Sequence, residues 1–287
     1  MLDLILVPLD GSEAAEVAVR VAAQLPAQRI LLASVEPDCT DLAEPCPGVQ
    51  EWETYLASVA TALRQQGRDV TTRVAVGDPA TQIIAMTRSA DLIVMSSHGR
   101  GAMGRLMFGS VADAVIRRAA TPTLIVRGEH WSGTALRRIV VPLDGSPLAE
   151  HALPMAVNLA RGMQIPVHLV RVVDFDQVQA SVLAGPAAAE ACARQQAELA
   201  REASAYLARL SAQYQATDCE ITTDVRIGTP IGELLTVIQP ADLTVLATHA
   251  RGGIARWFMG SAAEAIVRRG AGPVLLVRAG AGKPTNW

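Results

Sequence analysis

Aromatic side chains make up only 3% of the 287 residues. That excludes an interior filled by large rings and leaves packing to Ala, Val, Leu and Ile, which suit helices laid on a buried parallel sheet. Charge of one sign is scarce too: the formal net charge is −3, so there is no broad basic face for nucleic acid. Long apolar runs are missing, and Asp3 and Asp10 interrupt the first stretch, where a signal or anchor needs an uncharged core. No membrane contact and a cytoplasmic location are expected. The four cysteines, Cys39, Cys46, Cys192 and Cys219, lack CxxC spacing and histidine partners set out as zinc ligands. They read as free thiols, with no metal site.

What the chain does have is repetition. "LILVPLDGSEAAEVAV" from residue 4 matches "RIVVPLDGSPLAEHAL" from residue 138 at 10 of 16 positions, with an offset of 134. The stretch from Met95 to Arg127 matches the stretch from Leu246 to Arg278 at 15 of 33 positions, with an offset of 151. Each half is therefore one complete domain. The second is 17 residues longer between Asp144 and Gly228 than the first is between Asp10 and Gly77, mostly within "DFDQVQASVLAGPAAAEA". "GEHWSGTALR", residues 128–137, is the linker.

Short apolar runs alternate with helical-period segments in each half, the pattern of βαβ units and a parallel sheet. In the first half the strands read "LILVPL", "RILLASV", "DVTTRVAV", "ADLIVMSS" and "PTLIVR", with helices near 12–25, 50–66, 79–88 and 110–119. Ser12 and Ser146 are placed as N-caps and Pro147 at the first helical position. The Ala/Gln-rich stretch of the insertion predicts a long helix near 188–213, preceded by a loop that folds over the second crevice. The expected fold is α/β, with five parallel strands per half in the order 3-2-1-4-5.

That order brings two loops together at the carboxyl ends of the strands, where open parallel sheets bind ligands. Asp10-Gly11-Ser12 follows the first strand, and Ser96-Ser97-His98-Gly99 ends the fourth. Gly109 and Ser110 then open a helix whose free N–H groups suit an anion, most naturally a phosphate. Each part also has a structural reading. Ser110 with Asp113, and Ser261 with Glu264, have capping-box spacing and could end helices. Asp10 and Asp144 could only close a turn, and Arg100 and Arg105 could be solvated. His98 and His249 lack a nucleophile or relay partner in the same motif and read as loop-orienting.

On these residues the chain resembles a tandem universal stress protein. ATP-binding members of that family carry an Asp after strand one and, after strand four, a GxxG, nine residues and G(S/T). The resemblance covers almost the whole chain. It implies two tandem Rossmann-like domains of the adenine nucleotide alpha hydrolase-like kind, residues 1–131 and 136–287, with ATP and Mg as ligands. By motif, Asp10 would lie by ribose and adenine, Val35 would meet the adenine through its backbone, and Met95 would pack nearby. Ser96 replaces the first family glycine, Gly99 supplies the second with Arg100 beside it, and Gly109, Ser110 and Val111 would bind the phosphates. In the second half Asp144, Val172, Gly260, Ser261 and Ala262 take the matching places. The early glycines there are Ala247 and Ala250, and the added methyl matters most where Gly99 uses a positive φ, a conformation that costs alanine roughly 1–2 kcal/mol. The second site is therefore the weaker one.

The resemblance implies a stress-response sensor or regulator. Hydrolysis of ATP is expected to be slow at most, because the motif offers no general base, arginine finger or metal pair. It also implies that the fifth strands, residues 122–127 and 273–278, pair the halves as an internal pseudo-dimer, with homodimerisation of whole chains open. The alternative is an interaction module that works through its dimer surfaces without nucleotide. Related ATP-pyrophosphatases and nucleotidyl transferases would need SGGxDS, HxGH or KMSKS, and neither first strand is followed by one.

Overall fold

Branched aliphatic runs of four to ten residues become strands here because both faces of a parallel strand are covered, so no polar alternation is needed. The structure is a computed structural model and describes residues 1–37, 48–97, 108–127, 134–174, 186–214, 218–249 and 260–279. It divides into two compact units, Met1–Ala135 and Leu136–Ala279. In the first, the strands are β1 (Leu2–Pro8), β2 (Ala27–Glu36), β3 (Asp69–Val76), β4 (Leu92–Ser96) and β5 (Thr123–Val126). The helices between them are α1 (Glu13–Ala22), α2 (Val49–Gln65), α3 (Pro79–Met86) and α4 (Ser110–Arg118). All strand pairs in the unit are parallel, in the order β3-β2-β1-β4-β5. β4 is buried along its whole length, whereas β3, at the edge, is mostly exposed.

The second unit repeats the order with β6 (Arg138–Pro142), β7 (Val167–Asp174), β8 (Ile221–Gly228), β9 (Asp242–His249) and β10 (Val274–Ala279), arranged β8-β7-β6-β9-β10. Its helices are α5 (Pro147–Glu150), α6 (Leu153–Met163), α7 (Pro186–Gln213), α8 (Pro230–Val237) and α9 (Ser261–Arg269). Both units thus have the expected 3-2-1-4-5 topology. One helix of the first unit has become two: α1 is continuous, but Pro154 splits its counterpart into α5 and α6. Proline has no N–H to give to Glu150, and the preceding N–H groups of His151 and Ala152 fall back on Leu148 and Ala149, three residues away. Ser12 and Ser146 are N-caps as expected, each accepting from the N–H three residues on.

The long helix predicted near 188–213 is α7, which buries Ala203, Leu207 and Leu210 at helical spacing. The loop expected to fold over the second crevice, 175–185, lies outside the described residues, as do Cys39 and Cys46. Cys192 and Cys219 are free thiols. Among the described residues no helix is long and apolar enough to cross a membrane.

The two sheets differ at one half-buried position. Leu31 on β2 pairs with Thr71; at the same register β7 carries His168, which pairs with Thr222. The His168 ring bonds the Thr222 hydroxyl at 2.8 Å and lies 3.8 Å from Asp224. Arg138, Asp224, Arg226 and Asp242 are the charges that face it. Burial, and then the Arg138 charge, lower its pKa from the ordinary 6.5. A base depressed in this way binds fewer protons folded than unfolded, so stability is complete above the unfolded value and falls as pH drops through about 6.5 toward the folded value. Urea unfolding from about pH 7.5 to about pH 5 is expected to show that decline, and His168→Leu to flatten it.

Candidate functional site

The carboxyl ends of β1 and β4 meet in the middle of the first sheet. Ile5 and Leu6 pair with Leu92 and Ile93, and Pro8 pairs with Ala33. Continued upward, that register puts Asp10 level with Val35 on one side and Ser97 on the other. Gly11, at φ +76°, turns the chain from β1 into α1, a conformation that favours glycine. Within the turn Asp10 Oδ1 accepts from the Ser12 N–H at 3.0 Å and from its hydroxyl at 2.6 Å. The Ser12 oxygen in turn accepts from the Ala15 N–H at 3.1 Å. Asp10 is therefore tied to the helix cap, so it does close the turn; it is also half-buried at the mouth of the crevice.

The other wall is β4 and the start of α4. Met95, Ser96 and Ser97 are all buried. The Ser97 N–H donates to Val126 at 2.9 Å, and its carbonyl accepts from the Gly109 N–H at 2.8 Å. That last bond brings the chain back to β4 after residues 98–107 and seats the first turn of α4 beside the strand end. The α4 ladder begins with the Asp113 N–H on Gly109. The N–H groups of Ser110, Val111 and Ala112 precede it and lie at the positive end of the helix.

One expectation changes here. Ser110 and Ser261 do not cap their helices: Gly109 and Gly260 are the N-cap residues and the serines occupy the first helical positions. The Asp113 side chain reaches forward to Arg117 at 2.7 Å instead of back to the cap. The reason is local: a capping serine needs extended backbone, and residues 109 and 260 already supply it. The expectation of a positive φ concerned Gly99, which lies outside the described residues. Gly109 has φ −61° and Gly260 φ −57°, which any residue adopts. Ser96 lies in a strand, and so does Ala247, which pairs with Val277. What glycine offers at 109 is close approach to the backbone, not unusual dihedrals.

In the second unit Asp144 is exposed, and its Oδ1 accepts from the Ser146 N–H at 2.8 Å. Continued register puts it level with Val172 and with Thr248, which is 3% exposed. Gly260, Ser261 and Ala262 open α9 as Gly109, Ser110 and Val111 open α4. Gly99, Arg100 and Ala250 lie outside the described residues, as do Arg105 and His98. Sequence reasoning placed Ser97 in the strand-four loop but gave it no role, because its contribution is a backbone carbonyl and leaves no side-chain signal. It missed Glu36, buried one residue beyond Val35, whose carboxylate accepts the Trp52 indole N–H.

The profile of the universal stress protein family matches residues 1–127 and again 135–278. The chain belongs to the universal stress protein family. A universal stress protein of Methanocaldococcus jannaschii is 28% identical over 144 residues, 50% of this chain and 82% of that one. The crystal structure of a universal stress protein from Archaeoglobus fulgidus superposes with a TM-score of 0.71 at 20% identity, over 96% of this chain and 98% of the other. A shorter universal stress protein solved in complex with cAMP is 28% identical, covering 44% of this chain and 98% of its own, with a TM-score of 0.37.

Proposed function

We propose that this universal stress protein binds an adenine nucleotide, ATP with Mg, in the crevice between β1 and α4, and acts as a stress-response sensor or regulator in the cytoplasm. The observation that carries the reading is the Ser97–Gly109 bond, which sets the open N–H groups of α4 beside the half-buried Asp10 at the carboxyl end of the sheet. Anionic phosphates fit the helix end and the ribose and base fit the Asp10–Val35 side. Gly99 and Arg100 complete the phosphate side, and Met95 and Ser96 the floor. Asp144, Val172, Ala247, Ala250, Gly260, Ser261 and Ala262 form the weaker counterpart. Turnover is slow at most. The described residues hold no group of three or more His, Cys, Asp or Glu arranged for a metal, so Mg would arrive with the phosphates.

Residues 1–131 and 136–287 are the two domains in this reading, joined through β5 and β10 as an internal pseudo-dimer. Mass spectrometry of nucleotide released from purified, denatured protein is expected to find about one adenine nucleotide per chain. No nucleotide in the gently purified protein, together with no heat on titration with ATP and Mg, overturns the reading in favour of a ligand-free interaction module. Light scattering on each half expressed alone checks the pairing: both are expected to dimerise, and soluble monomers count against it.

A further inference from the structure

The two crevices differ at a residue that the loop motifs do not include. Pairing of Pro8 with Ala33 and of Pro142 with Val170 makes Arg171 the counterpart of Ser34. Ser34 is buried, and its hydroxyl donates to the Leu9 carbonyl at 2.9 Å, so nothing from that position reaches the turn at residues 10–12. Arg171 does reach the equivalent turn. A Cβ built on Gly145 would meet the Arg171 guanidinium at 3.0 to 3.2 Å, so the guanidinium lies against the glycine backbone, which is held at φ +89°.

Its position is secured from behind. The guanidinium carbon stands 4.8 Å from the centre of the Tyr206 ring on α7, and Arg209 covers the same ring at 5.4 Å. Arg209 also reaches Glu150 at 3.5 Å, on the helix that follows the turn. The contacts close a circuit from the turn through Arg171, Tyr206, Arg209 and Glu150 back to the turn. Cation–π contact favours this stacked geometry. The covered glycine adjoins Asp144, and Arg171 itself adjoins Val172, the two residues that match the ribose and base side of the first crevice. Phosphates would gather at the other wall, by α9. A fixed cation thus stands where the neutral part of the ligand would go, and a base placed there would have to strip water from that charge.

We propose that Arg171 is the residue that denies the second unit an adenine nucleotide, by covering the Asp144–Ser146 turn under the hold of Tyr206. This rests on the reading of the first crevice as a nucleotide site. It stands beside the alanine account, of which Ala247 lies in ordinary strand and Ala250 outside the described residues.

Arg171→Ser, which restores the residue of the first unit, tests it in the full chain. Titration with ATP and Mg is expected to rise from about one nucleotide per chain to about two, the new site at least about tenfold tighter than in the parent. Hydrogen exchange without nucleotide is expected to quicken at least about fivefold at residues 144–149 in Arg171→Ser and in Tyr206→Leu, and to stay at the parent rate in Tyr206→Phe. A parent that binds one nucleotide and a variant that still binds one overturn the proposal and leave the first site intact. A parent that binds two also overturns it. A parent that binds none overturns the nucleotide reading of the first crevice and the proposal with it, and exchange unchanged in Arg171→Ser overturns the proposal alone.

Discussion

Gly109→Val is expected to remove ATP binding by the first unit, a loss of at least about 100-fold or about 2.7 kcal/mol. The fold is expected to survive, because φ −61° suits valine and residue 109 is only the cap of α4. Replacing glycine by a β-branched residue at an N-cap costs about 1 kcal/mol. The effect on ligand is larger because phosphate must approach the N–H groups of Ser110 and Val111 within hydrogen-bond distance, and two methyl groups at the cap stand in that approach. Gly260→Val is the control. A side-chain carbon on Gly260 would meet nothing within 4 Å, so the change should alter neither the fold nor the nucleotide count. Asp10→Ala is expected to fall between the two. It removes contacts to ribose or adenine, but it also relieves repulsion between a carboxylate and the phosphates. It loosens the turn as well, since Oδ1 holds Ser12. Calorimetric titration of ATP and Mg into the three variants decides the matter, and equal losses at 109 and 260 would mean two working sites.

Asp242→Ala is expected to cost about 3 kcal/mol of stability in the second unit, the largest effect of any single change away from the crevices. The Asp242 side chain is 4% exposed and receives Arg138 through two bonds of 2.9 Å, Nε on Oδ1 and Nη2 on Oδ2. Oδ2 also accepts the Gln239 N–H at 2.8 Å. Truncation leaves the guanidinium against the sheet with the Val237 carbonyl as an acceptor, and leaves a backbone donor unpaired. Asp91 holds the corresponding place in the first unit, where among the described residues it accepts from the backbone N–H groups of Asp3 and Leu4. Asp91→Ala is therefore expected to cost less, about 1–2 kcal/mol. Replacing the second-unit pair together, Arg138→Met with Asp242→Leu, should recover most of the loss, since apolar residues of similar volume avoid the desolvation of two charges. Urea unfolding checks all three; a loss below about 1 kcal/mol for Asp242→Ala would show a pair screened by solvent.

The fold was legible because its signals are local and written twice. Apolar runs, Ser12, Ser146 and Pro147 each act within a few residues of themselves, and the insertion helix declares itself through composition. The crevice was legible in part for the same reason: the Asp-Gly-Ser turn and the Gly-Ser helix start are motifs. Local spacing misled at Ser110 and Ser261, where an acidic residue three positions on suggested a cap that the preceding glycine provides.

By itself the sequence determined the α/β class, the duplication, the helix starts and the residues that can reach the strand ends, since period, caps and repeats depend on near neighbours in the chain. Tertiary structure alone decided that Ser97 holds Gly109, that His168 takes the place of Leu31 beside Arg138 and Asp242, and that Arg171 lies on Gly145 under Tyr206. Those contacts join residues a dozen or more positions apart across different strands and helices, and only strand register brings such residues to the same level.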